Sequence, residues 1–239
     1  MRRDHRPYYI KSAYLKLQDF YVRHFIKPRL EKLGKNFSFI KPWHVEIFGP
    51  SIEIGTCASV IAARDKPIRL AVWSETSDRG EIKIGNYCLI CPGVRVGSGL
   101  SISIGDGSMI ASGVYITDSD WHGVYNRISL GKAEPVVIEE NVWIGDGSIV
   151  CKGLTIGKNS IIGAGSVVVK DIPQNTIAAG NPAQVVKQLD PDIGITTRSS
   201  WFSNPDKLTR DMEAMDREML KGNSLAHWLR HILFPRRED

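Results

Sequence analysis

The stretch IEENVWIGDGSIVCKGLTIGKNSIIGAGSVV, residues 138–168, carries an aliphatic residue at every sixth position. The series runs Ile138, Ile144, Val150, Ile156, Ile162 and Val168, and Gly145, Cys151, Gly157 and Gly163 follow its four central members. A helix repeats every 3.6 residues and a plain strand every two, so neither keeps one aliphatic position in phase for so long without further matches. A short strand and a turn per unit do. A unit of six residues cannot bury its aliphatic side chain alone, so the units must stack into a continuous core with atypical ends.

Working outward, Ile104, Ile110 and Ile116 form a second block and Ile84, Ile90 and Val96 a third, with two extra residues between these blocks from Gly97 to Ser103. Ile54 and Val60, after Phe48, continue the pattern toward the N-terminus. Small residues recur four places after the aliphatic one, as Cys88, Ser108, Ser148, Ser160 and Ser166. Three departures stand out. Residues 61–81 read as an excursion or an irregular coil, and residues 98–103 as a register break. Ile116 and Ile138 are 22 residues apart, so residues 117–137, TDSDWHGVYNRISLGKAEPVV, must leave the coil as a loop. Long loops on rigid scaffolds are where function concentrates.

Composition narrows the class. With 42% hydrophobic and 24% charged residues the chain reads as a soluble globular protein, and no run approaches the roughly 18 apolar residues that cross a bilayer. The N-terminal MRRDHRPYYIKSAYLKLQ is basic but has neither a continuous apolar core nor a small-residue cleavage site, which points to the cytoplasm. There the four cysteines, at 57, 88, 91 and 151, stay reduced. Cys88 and Cys91 have CxxC spacing, but no second cysteine or histidine cluster lies nearby in sequence, so no metal is expected. The net charge of +5 is modest, and its basic residues gather near the two ends instead of forming a nucleic-acid stripe.

Both ends read as helical. Ile10, Tyr14, Leu17, Tyr21, Phe25 and Leu33 outline a basic amphipathic segment over residues 8–33, which Pro28 kinks or ends. Leu208, Met212, Met215 and Met219 outline another over residues 205–221, followed by Trp228, Leu229, Ile232 and Leu233. End caps or subunit contacts are one reading of these segments, and peripheral attachment to an anionic membrane surface the other. The expected layout is a helical cap over residues 1–44, a repeat domain over 45–190 and a helical extension over 191–239.

Of the six histidines, at 5, 24, 44, 122, 227 and 231, only His122 lies within the repeat-bearing segment after its first coil, and it lies in the long loop. Imidazole titrates near neutrality and suits a general base. Asp118 and Asp120 are close enough in sequence for either to hold its second ring nitrogen; both equally suit loop turns.

The hexad, together with NVWIGDGSIVCKGLTIGKNSIIGAGSVVVKDIPQNTIAAGNPAQVV at residues 141–186, resembles the hexapeptide-repeat acyltransferases, in particular the maltose, galactoside and polysaccharide O-acetyltransferases. The resemblance implies an all-β solenoid, a left-handed parallel β-helix with three units per triangular coil, flanked by N-terminal and C-terminal helical appendages. It implies an acyl-CoA-dependent acyltransferase that moves acetyl from acetyl-CoA to a saccharide hydroxyl, with His122 in TDSDWHG as the base. By the same resemblance Trp143 lines the donor and acceptor pocket, and Gly145 and Ala164 flank the pantetheine arm. Lys170 and Lys187 stand near the CoA phosphates, Gln184 replaces an arginine common in relatives, and the chain forms a homotrimer with sites between subunits.

Alternatives remain open: an amine acceptor on an amino sugar or antibiotic, and a non-catalytic β-helix scaffold. A γ-type carbonic anhydrase would need three converging histidines where only His122 is available. An acyl-cysteine route conflicts with cysteines that the repeat already explains.

Overall fold

Each aliphatic position of the hexad sits in a strand of two to five residues, and successive strands fall on three sheets in rotation. The computed structural model describes residues 4–73, 80–190 and 192–235. Its first sheet stacks Lys32–Leu33, Ile52–Ile54, Ile82–Ile84, Ile102–Ile104, Val136–Ile138 and Leu154–Ile156. The second stacks Ser38–Ile40, Ser59–Ile61, Leu89–Ile90, Met109–Ile110, Trp143–Ile144 and Ile161–Ile162, then the hairpin Thr176–Gly180 and Ala183–Gln188. The third holds Val45–Phe48, Ile68–Val72, Arg95–Ser98, Tyr115–Thr117, Ile149–Val150 and Val167–Val168. Apart from the terminal hairpin, every pairing between strands of neighbouring coils is parallel. The result is a six-coil, three-sided parallel β-helix.

In-register pairing stacks like on like inside. Val60, Ile90, Ile110, Ile144 and Ile162 form one buried column, and Leu70, Val96, Ile116, Val150 and Val168 another. The small positions do more than make room. Ser108, Ser148 and Ser160 are buried and donate to the carbonyls of Glu139, Gly163 and Pro173 in the following turn. The buried Cys88 thiol does the same toward Gly105. Buried polar atoms thus satisfy corner carbonyls that the short strands leave over.

The corners require left-handed backbone, and the last coils supply residues that tolerate it. Between the first and second sheets Asn141, Asn159 and Asn175 have φ of 55–61°. Their side chains form a ladder, Asn141 donating to Asn159 at 2.9 Å and Asn159 to Asn175 at 2.8 Å. Asparagine is among the few side chains that adopt this conformation readily.

Two boundaries differ from the sequence reading. The parallel sheets begin at Lys32, inside the segment expected to be a helical cap, because the end coil buries Phe39 and Val45 without the small-residue pattern of the inner coils. Within residues 61–81, expected to be irregular, Ile68–Val72 is a regular third-sheet strand paired with Arg95–Ser98; residues 74–79 lie outside the described ones. Helix α1 (Tyr8–Tyr21) runs on through a wider turn at Val22–Ile26, where Val22 and Ile26 are buried against the first coil. After the hairpin the chain returns along the β-helix, since Arg198 donates to the Tyr87 carbonyl at 2.6 Å. Helices α2 (Arg198–Trp201), α3 (Pro205–Met219) and α4 (Leu225–Leu233) follow, and Lys11 of α1 pairs with Asp216 of α3 at 2.7 Å. Among the described residues, no helix is long and apolar enough to cross a membrane.

Candidate active site

The long loop departs after Tyr115–Thr117, at the corner between the third and first sheets, and returns at Val136–Ile138. Asp118, its first residue, is fully buried. Its carboxylate accepts from the backbone N–H groups of Gly99 (2.7 Å), Leu100 (2.9 Å) and Ser101 (2.7 Å) and from the hydroxyls of Ser98 (2.7 Å) and Ser119 (2.6 Å). All of these donors except Ser119 belong to the corner one coil earlier. The register break of residues 98–103 is therefore the socket for Asp118, and with five donors around it the carboxylate orients the loop base, not the His122 ring.

The next carboxylate is also engaged. Asp120 pairs with Lys152 at 2.8 Å, on the turn that follows Ile149–Val150. Trp121 donates from its indole nitrogen to the Tyr115 hydroxyl at 3.1 Å and lies over Gly97, where an added Cβ would meet its ring at 3.2 Å. Arg95 stacks on the Tyr115 ring, its guanidinium carbon 4.5 Å from the centroid. This run lays the loop back over the third sheet and leaves His122 exposed beyond it. Among the described residues none hydrogen-bonds to the His122 ring, so in a single chain neither Asp118 nor Asp120 fixes its tautomer.

The Asp120–Lys152 pair should contribute little to stability, because Asp120 keeps 44% of its side-chain surface in water and exposed pairs are worth about 0–1 kcal/mol. Lys152→Met is expected to lower unfolding stability by less than about 1 kcal/mol, and less still at high salt. A loss above about 2 kcal/mol in denaturant titration would show that the pair, and not Asp118, anchors the loop.

The residues expected on the donor side fall elsewhere. Trp143 is half exposed on the outer surface of the second sheet, where it borders a shallow apolar hollow of about 210 Å³ with Leu89, Cys91, Met109, Ile110 and Ala111. Gly145 and Ala164 stack in adjacent coils at the corner between the second and third sheets. Gly145 is buried, and a Cβ there would stand 2.6 Å from the Ala164 nitrogen, so its small size serves coil stacking and not access. The open backbone at that corner belongs to Gly147 and Gly165, at φ of 66° and 69°, with nothing within 4 Å of a built Cβ. These glycines, absent from the sequence reading, are where an extended pantetheine arm could approach main chain. Lys170 is exposed at the loop's own corner, and Lys187 is exposed on the terminal hairpin. Gly180 to Ala183 form that hairpin's turn.

One chain therefore anchors the His122 loop and holds the Gly145–Ala164 corner at different edges of the third sheet. A cysteine nucleophile fits poorly. Burial pushes the Cys88 thiol up to about 12 and raises those of Cys57, Cys91 and Cys151, so the reactive thiolate is disfavoured at all four.

The pattern described as bacterial transferase hexapeptide (six repeats) matches residues 135–170, and the hexapeptide repeat of succinyl-transferase matches residues 81–118. The galactoside O-acetyltransferase of Lactococcus lactis is 31% identical over 166 residues, 69% of this chain and 66% of that protein. The chain belongs to the hexapeptide-repeat acyltransferase family. The galactoside O-acetyltransferase of Escherichia coli is 40% identical over 93 residues, 38% of this chain and 45% of that one. The matches to these two relatives span between about half and two thirds of their length. Among solved structures, an N-acyltransferase from Bacillus cereus in complex with dTDP and coenzyme A superposes with a TM-score of 0.53 at 19% identity, covering 80% of this chain and 97% of that one. That likeness concerns the fold, and with the family it supports the left-handed winding expected from the hexad.

Proposed function

We propose that this hexapeptide-repeat acyltransferase family member transfers acetyl from acetyl-CoA to a saccharide hydroxyl, with His122 as general base. The observation that carries the reading is an exposed imidazole on a loop whose base is locked by Asp118, in a chain whose relatives include galactoside O-acetyltransferases. In the reaction His122 takes the hydroxyl proton as the oxygen attacks the thioester carbonyl. The tetrahedral intermediate collapses with cleavage of the C–S bond, and the imidazolium returns the proton to the CoA sulfur.

Because His122 and the donor corner occupy different edges, the site is completed by a neighbouring copy, the loop of one subunit facing the Gly147–Gly165 corner and Trp143 of the next. A homotrimer closes this heterologous contact into a ring. A carboxylate from the neighbour, or the substrate itself, then orients His122.

Calorimetric titration with acetyl-CoA and CoA, followed by a thiol-release screen of galactosides, glucosides and amino sugars, tests the reading. Saturable CoA binding with turnover on hydroxyl sugars supports it; turnover confined to amino sugars moves the acceptor to nitrogen; no binding by folded protein favours the scaffold. Lys187→Glu is expected to weaken CoA by about tenfold, the worth of one charge-assisted contact, while leaving dephospho-CoA nearly unchanged. Equal losses for both ligands would remove Lys187 from the 3′-phosphate.

A further inference from the structure

Three of the chain's six histidines meet far from the loop. His227 and His231 stand one turn apart on α4, so their rings share a face of the helix. His5 reaches them from the N-terminal segment, its ring stacked on that of His231 with centroids 3.4 Å apart. One nitrogen from each of the three rings lies within 4.8 Å of the others, and the Nε2 atoms of His227 and His231 are 3.2 Å apart. Two nitrogens held at about 2.0–2.1 Å on one tetrahedral zinc lie about 3.3 Å from each other.

The surroundings hold the three residues in place. Asn223, just before α4, donates to the carbonyls of Asp4 at 2.9 Å and Arg6 at 3.0 Å, gripping the backbone on both sides of His5. The Ser224 side chain accepts from the His227 N–H and caps the helix that carries the other two histidines. These contacts align the backbones, as outer-shell bonds do around metal ligands.

We infer that His5, His227 and His231 form a binding site for a divalent transition metal, zinc by chemistry and availability, that clasps the two ends of the chain together. Three neutral imidazoles with a fourth position for water match the donors and number that zinc takes in open sites. Binding requires the His5 ring to tilt out of its stack and Arg230, 2.8 Å from His231 Nε2, to turn away. The clasp lies on the helical appendages, apart from the proposed acyl-transfer residues.

The test is calorimetric titration of the full chain, free of added histidine tags, with zinc chloride, paired with amide exchange of α4. One zinc per chain and slower α4 exchange on binding are expected. His5→Ala, His227→Ala and His231→Ala should each weaken zinc at least about tenfold. None of these variants touches the β-helix core, so circular dichroism should match the parent. Absence of saturable zinc binding overturns the site, and so does His5→Ala binding zinc as tightly as the parent, which would reduce the feature to an ordinary helical histidine pair.

Discussion

Replacing His122 by alanine is expected to lower acetyl transfer by about two to four orders of magnitude while leaving folding and CoA affinity nearly unchanged. The separation of these effects follows from geometry. The ring is exposed and bonds to no described residue, so its removal creates no cavity and orphans no partner. Its loop is also anchored at the edge of the third sheet away from Trp143 and the Gly147–Gly165 corner, the positions to which the proposed function assigns the donor. The measurement is thiol release from acetyl-CoA with the acceptor found by the screen, alongside calorimetry with CoA and a thermal melt. An unchanged kcat would remove His122 from the base role. A fall in kcat matched by a large fall in melting temperature would mean that the loop had collapsed and the chemistry had not been tested.

The repeat was legible because every inner coil makes the same demands: an aliphatic residue inward and a small or left-handed residue at the turn. Where those demands relax, the reading failed. The first coil packs under α1, and although Leu33, Phe39 and Val45 keep the six-residue spacing, Phe37 and Trp43 stand where the inner coils place small residues, so its signature is weak. The strand Ile68–Val72 keeps inward Ile68, Leu70 and Val72, but insertions on either side take it out of phase.

The candidate site was legible in part. His122 stood out through residue type and loop position, whereas the partners of Asp118 are mostly backbone amides, which no residue type announces. The two-residue slip near Gly97 was their only trace, and it marks the lengthened strand Arg95–Ser98. Gly145 misled for a related reason. Sequence shows that a glycine is small, but only stacking against Ala164 shows what occupies the vacated space. The histidine cluster was illegible because His5 and His227 come from opposite ends of the chain.

Asp118→Ala is expected to cost about 4 kcal/mol of stability and to release the loop. The substitution leaves three corner N–H groups facing a small apolar void, and a buried donor that loses its partner costs about 1–3 kcal/mol. The hydroxyls of Ser98 and Ser119 can rotate toward other acceptors, which keeps the total below the sum of five bonds. For a chain of this size the melting temperature should fall by about 10 °C. Asp118→Asn retains an acceptor oxygen but presents an amide NH2 to donors, so it should fall between alanine and the parent. Amide exchange discriminates the socket from a catalytic role: the Gly99, Leu100 and Ser101 amides should exchange markedly faster in Asp118→Ala, with transfer lost as the loop base comes free. If Asp118 instead acted by polarising His122, the variant would keep its melting temperature and corner protection and change only kcat and its pH profile. That outcome would require the carboxylate to leave five donors for one imidazole, a trade that costs more hydrogen bonds than it gains.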